Sequence, residues 1–241
     1  LLVSMGSAFP SQGSGTQSDP YLLTNCTDLQ SIEPTDGGSV YYNVTNNIDC
    51  SDTVNWNGGA GFDPININPG TNRSNMTIYG NNYAIQDLYI NRSGGKLGLF
   101  GDFIMGSEYL QVTNLDMTNV SIYSNNTDSD DHGALVGEFY STGTDSRIEN
   151  VHVTGQFKTG GNTGGIIGYS PTGVVSAGVM INSSFNGTIE TVSTTSGGIG
   201  GLMGLHMMDV INSSSHGEII ANSTGGQIGG IVGGDPDNSI E

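Results

Sequence analysis

Gly165-Ile166-Ile167-Gly168 decides the fold, because the chain carries the same four-residue pattern five times. The other copies are Gly98-Leu99-Phe100-Gly101, Ala134-Leu135-Val136-Gly137, Gly201-Leu202-Met203-Gly204 and Gly230-Ile231-Val232-Gly233. Their closing glycines stand 36, 31, 36 and 29 residues apart. Self-similarity at such a period marks a repeat architecture. A second stretch follows each of the first four copies, over 112–122, 148–158, 180–190 and 210–220. Aligned on Asn114, Asn150, Asn182 and Asn212, these stretches form columns. Two residues before the Asn stand Val112, Ile148, Met180 and Val210. Five residues after it stand Asn119, Gly155, Gly187 and Gly217. Gly and Asn best tolerate a left-handed backbone, so this last column reads as a fixed bend.

Each unit offers short strands and tight turns, with no helix signal. One such unit cannot bury its apolar face alone, whereas stacked units can. The expected fold is all-β: a right-handed parallel β-helix, or β-solenoid, with Gly-rich repeats of about 29–36 residues. A β-sandwich is the competing architecture, but it requires no columns in register. The chain divides into an apolar N-terminal segment (1–12), an N-terminal cap with early rungs (13–97), and the solenoid repeats (98–241), the last repeat incomplete. Segment 1–12 reads as a docking strand or the remnant of a signal peptide.

The Gly-apolar-apolar-Gly core and the following Asn strand, as at Gly165 to Gly168 with Asn182, resemble the GLUG-repeat family. Residues 13–23 followed by Cys26-Thr27-Asp28-Leu29 resemble the entry segment of such secreted β-helices, and 76–85 an early rung. The resemblance implies bacterial or archaeal surface proteins, adhesins, or non-catalytic parts of secreted peptidases. It implies no catalytic set.

Composition narrows the function. Only five residues are Lys or Arg against 23 Asp or Glu, for a formal charge of -18. Such a chain is not built to hold phosphate backbones, so nucleic acid is excluded as a partner. No run of apolar residues is long enough to span a membrane. Many acids and few lysines suit high salt, where screening removes self-repulsion. Glycine makes up 39 of 241 residues, and Asn, Ser, Thr and glycans are expected to carry much of the solubility.

Cys26 and Cys50 are expected to form a disulfide, contributing roughly 3 kcal/mol in the loop-entropy model, with two buried thiols as the alternative. Asn-x-Ser/Thr occurs eleven times, about twice the chance expectation. Asn182 and Asn212 share the Asn column, where side chains can form a hydrogen-bonded ladder inside the coil and so escape glycosylation. The expected N-glycan acceptors are therefore Asn43, Asn72, Asn75, Asn91, Asn125, Asn186 and Asn222. Asp128, Asp130 and Asp131 could supply oxygen ligands to Ca²⁺, against the plainer reading of a solvated acidic loop. Beyond Ca²⁺ and N-linked glycans no cofactor is expected.

Catalytic motifs are missing. The basic residues Arg73, Arg92, Lys96, Arg147 and Lys158 show no evident acidic partner, and the four His have no ligand spacing. No nucleophile elbow is present. His152 alternates with Val151 and Val153 and should face water on a strand; His206 precedes two methionines in a packing position. Trp56 either stacks on a sugar or covers an end of the solenoid.

These readings converge on a secreted, glycosylated structural protein rather than an enzyme. It would be the β-solenoid subunit of an extracellular filament, sheath or cell-surface fibre, assembling with itself head to tail. One subunit's apolar N-terminal segment would complete its neighbour's unfinished last repeat. The alternatives are an adhesin stalk or carbohydrate-binding module that meets surface polysaccharide, and a polysaccharide lyase or hydrolase.

Overall fold

The computed structural model describes residues 10–33, 37–67, 74–104, 106–124, 130–170, 178–192, 197–205, 208–221 and 226–234. It is a parallel β-solenoid. The expected segment 1–12 lies almost wholly outside the described residues, as do Arg73 and His206.

Three sheets run along the stack. The long sheet orders Tyr21–Leu23, Ser39–Val44, Asn75–Gln86, Leu110–Ser124, Arg147–Thr159, Val179–Ile181 and Asp209–Ile211, and Ser184–Thr191 and Ser214–Ala221 continue its later rungs. A second sheet, here the Gly sheet, orders Ile65–Ile67, Phe100–Ile104, Val136–Tyr140, Ile167–Tyr169, Met203–Leu205 and Val232–Gly234. A small sheet orders Asp131–His132, Asn162–Gly164, Gly198–Gly200 and Gln227–Gly229. Every strand pairing in the three sheets is parallel. The long sheet passes from the early rungs into the repeats without a break, and one apolar core fills both.

The sequence columns are rungs in register. Val112 pairs with Ile148, Ile148 with Met180, and Met180 with Val210. Along Arg147–Thr159 the period of two sends Val151, Val153 and Phe157 into the core and His152, Gln156 and Lys158 outward. Aromatic residues stack inside: Phe103 meets Phe139 at 5.9 Å, and Phe157 meets Phe185 at 5.4 Å between ring centroids.

The bend column is a correction. The left-handed positions are the alignment asparagines themselves: Asn114, Asn150, Asn182 and Asn212 have φ of 55°, 52°, 49° and 48°. Asn119 (φ 56°) and Gly217 (φ 127°) of the expected column also have positive φ, but Gly155 and Gly187 do not and lie within strands. Their need for glycine is steric. A Cβ on Gly187 would sit 2.0 Å from the carbonyl oxygen of Gly155, its partner in the rung before.

The glycines that close the repeat motif answer a similar demand where the Gly sheet meets the small sheet. A Cβ on Gly168 would lie 2.3 Å from the His132 backbone nitrogen, across the junction. Without side chains on this face, the two sheets approach to backbone contact.

Candidate functional site

The expected disulfide is present. Cys26 and Cys50 are joined, both buried, tying the short helix Cys26–Gln30 to the strand end at Asp49.

The expected glycan acceptors separate by environment. Asn91 and Asn186 are exposed. Asn43 and Asn75 are half-buried and engaged: Asn43 Oδ1 accepts from Asn81 Nδ2, and Asn75 Oδ1 accepts from the Tyr109 amide at 3.2 Å. Asn72, Asn125 and Asn222 lie outside the described residues. One step of the expected asparagine ladder is seen, with Asn150 Nδ2 donating to Asn114 Oδ1 at 2.8 Å. It stands at a corner of the coil and not inside it, because a left-handed residue turns the chain. Asn182 and Asn212 are exposed there, so the reason given for setting these two sequons aside does not hold.

Of the three expected Ca²⁺ ligands, Asp128 lies outside the described residues, and the other two serve different partners. Asp130 Oδ2 accepts from the Gly95 amide at 3.2 Å, while Asp131 is buried and accepts from Asn162 Nδ2 at 2.7 Å. Among the described residues no three His, Cys, Asp or Glu side chains gather as a metal site. Trp56 lays its ring over Phe62, centroids 6.4 Å apart, and donates to Asp52 Oδ2 at 3.3 Å, so it covers core. His152 faces outward and hydrogen-bonds Ser184 Oγ at 2.9 Å on the next rung.

The four basic residues among those described all have acidic partners, contrary to the sequence reading; Arg73 lies outside the described residues. Arg92 pairs with Asp63, Arg147 with Glu149, Lys158 with Glu190, and Lys96 with both Asp102 and Glu138. Lys158–Glu190 joins register partners on successive rungs at 2.8 Å.

A polar group sits at the junction of the Gly and small sheets. Asp102 and Glu138 are register partners on adjacent rungs, and Glu138 in turn faces Tyr169. Lys96 reaches both carboxylates, its Nζ 3.0 Å from Asp102 Oδ1 and in closer contact with Glu138 Oε2. Burial alone would lower the Lys96 pKa, but the Glu138 and Asp102 carboxylates outweigh it and hold it above the usual lysine range. Asp131 lies close enough to feel Glu138 and Lys96; burial pushes its carboxyl up to about 7, partly offset by the Asn162 hydrogen bond. Its neighbour His132 is fully enclosed, and burial lowers its pKa to about 3, so it is neutral. Neither ring nitrogen has a partner in hydrogen-bond geometry, and the Gly160 carbonyl favours the charged form only weakly. The sequence did carry one signal for this group: Asp102, Glu138 and Tyr169 each follow a closing glycine of the repeat.

A second surface feature lies on the outer face of the long sheet. Tyr41 and Tyr79 stack at 6.4 Å. A groove of about 450 Å³ lies in the same sheet's later rungs, lined by Tyr109, Gln111, Asp145, Arg147 and neighbours.

No family model matches the chain. It is 38% identical over 168 residues to Halomucin of Haloquadratum walsbyi, covering 68% of this chain and 2% of that protein. It is 33% identical over 142 residues to a candidate Gly-rich membrane protein of Evansella cellulosilytica, covering 58% of this chain and 15% of that one. The chain thus spans a small part of the length of either relative. Among solved structures it is similar to a candidate immunoglobulin A1 protease from Bacteroides ovatus, with a TM-score of 0.63 and 21% identity over 97% of this chain and 66% of that one. That likeness is one of fold. No helix among the described residues is long and apolar enough to cross a membrane.

Proposed function

We propose that this chain is a β-solenoid segment of a secreted, cell-surface structural protein, serving as a rigid acidic spacer. One observation carries the reading: a parallel stack in register whose first coil is closed by a disulfide, a bond that persists in oxidising, extracellular compartments. The similarity to parts of Halomucin and of a Gly-rich membrane protein supports the same placement. N-linked glycans belong on the exposed acceptors Asn91 and Asn186, and the exposed sequons Asn182 and Asn212 are open to them as well. Head-to-tail association into a filament uses the pairing that already joins rung to rung, since a parallel strand edge accepts another copy of itself. Antibody against this chain should label intact cells of the source organism, and glycosidase treatment should lower the mass of the native protein. Labelling only after lysis would sink the surface assignment.

A second reading, a carbohydrate-binding module, rests on the Tyr41–Tyr79 stack and the groove beside Tyr109. Aromatic faces and polar groups together suit sugar rings. It predicts that the monomer binds neutral oligosaccharides and that Tyr79→Ala weakens binding; an inert glycan array sets it aside.

A further inference from the structure

We propose that Lys96 and Asp102 condense into an intramolecular amide, with Glu138 moving the protons. Three observations meet at this point. Lys96 Nζ lies 3.0 Å from Asp102 Oδ1, yet that oxygen has neither solvent nor a partner in hydrogen-bond geometry. The amine therefore approaches the carboxyl group off the direction a stable hydrogen bond would take. Glu138 Oε2 touches the same Nζ from the other side. The backbone fixes all three, because Glu138 and Asp102 are register partners and Leu97, next to Lys96, bridges to His132.

The two carboxylates hold Lys96 as the ammonium, so Glu138 must first take its proton, while the enclosure of the three groups keeps them together. The side chains of Lys96, Asp102 and Glu138 are 29%, 19% and 15% exposed. Removing charges from water is costly, and an amide removes two of them. Holding amine and carboxyl in contact replaces a bimolecular encounter with an intramolecular one. Glu138 takes one proton from the ammonium and passes it to Asp102, and the Nζ lone pair attacks Cγ of the neutral carboxyl group. Glu138 then takes a second proton from the nitrogen and gives it to the departing hydroxyl as the carbon–oxygen bond breaks. One amide and one water result, Glu138 ends as a carboxylate, and no oxidant or co-reactant is consumed. The bond closes the turn that carries Gly98-Leu99-Phe100-Gly101 and locks the first copy of the repeat motif.

Intact-mass spectrometry of the purified chain tests this directly. The expected mass is lower than the sequence mass by one water, beyond the hydrogens lost in the disulfide. Trypsin should fail to cut after Lys96, and fragmentation should join Lys96 to Asp102. A wild-type chain at full mass, cut after Lys96, overturns the proposal, and so does a bond that joins Lys96 to Glu138. This reading needs no variant to fold. Glu138→Gln keeps both reactants and should stay at full mass with unchanged circular dichroism; if it loses the water all the same, Glu138 is not the proton carrier.

Discussion

Two corners of the coil use special residues for opposite reasons. At the asparagine corner, Asn114, Asn150, Asn182 and Asn212 supply a left-handed backbone, and their side chains have room to point outward or to one another. At the junction of the Gly and small sheets, Gly168 lacks a left-handed φ, but a Cβ there would meet backbone at 2.3 Å. The first corner is a demand on dihedral angle, the second a demand on space. A residue with a side chain satisfies the first and cannot satisfy the second.

The substitutions that break this contrast have graded effects. Gly168→Ala should be the most damaging, costing roughly 3 kcal/mol or more, because the atom it meets is backbone and cannot rotate away. A melting temperature near wild type would show that the sheets can part. Cys50→Ser should cost about 3 kcal/mol through the freed loop, and it should leave both corners intact. Chemical denaturation would show the loss, with native circular dichroism kept in buffer.

The two titrating residues at the Gly junction have pH-dependent effects whose signs oppose. His132 has a folded pKa of about 3 against 6.5 unfolded, so below 6.5 the unfolded chain takes a proton that the folded chain refuses. Stability from His132 is complete above 6.5 and falls as pH drops toward 3. Asp131 has a folded pKa of about 7 against 3.8, so its cost grows as pH rises from 3.8 to 7. Removing one group should expose the other's slope. Asp131→Asn should become more stable as pH rises from 3 to 6.5, and His132→Phe should become less stable from 3.8 to 7. Parallel slopes for the two variants would contradict the burial assigned to this junction.

The mildest changes belong to the asparagine corner. Asn150→Ala should cost about 1 kcal/mol, from a left-handed non-Gly residue and the lost ladder bond to Asn114. Asn150→Gly keeps the dihedral angle and loses only the bond, so it should cost less than the Ala variant. If Gly proved worse than Ala, space rather than angle would rule this corner too.

This contrast also marks how far the sequence could be read. The columns Val112, Ile148, Met180 and Val210 were legible because a solenoid repeats its environment at each rung, so like residues recur. Gly can answer either demand and Asn only the first, and the alphabet does not say which demand a given Gly meets. Hence Gly155 and Gly187 read as bends when they are close approaches, and the Asn column read as interior when it is a turned corner. Lys96, Asp102, Glu138 and Asp131 were only partly legible as a group, through the closing glycines before Asp102 and Glu138. They lie on separate strands and turns of two sheets, and only the register of each sheet and the junction between them bring them together.

The stack in register is the central claim, and paired cysteines test it most directly. Gln156 and Thr188 are partners on adjacent rungs of the long sheet, and Glu190 lies two residues further along the same strand. With Gln156→Cys and Thr188→Cys together, mild oxidation should close a second disulfide in nearly all molecules, because parallel neighbours lie within disulfide reach. The control, Gln156→Cys with Glu190→Cys, should stay reduced. Efficient closure of the control and none in the first pair would contradict the register and the solenoid with it.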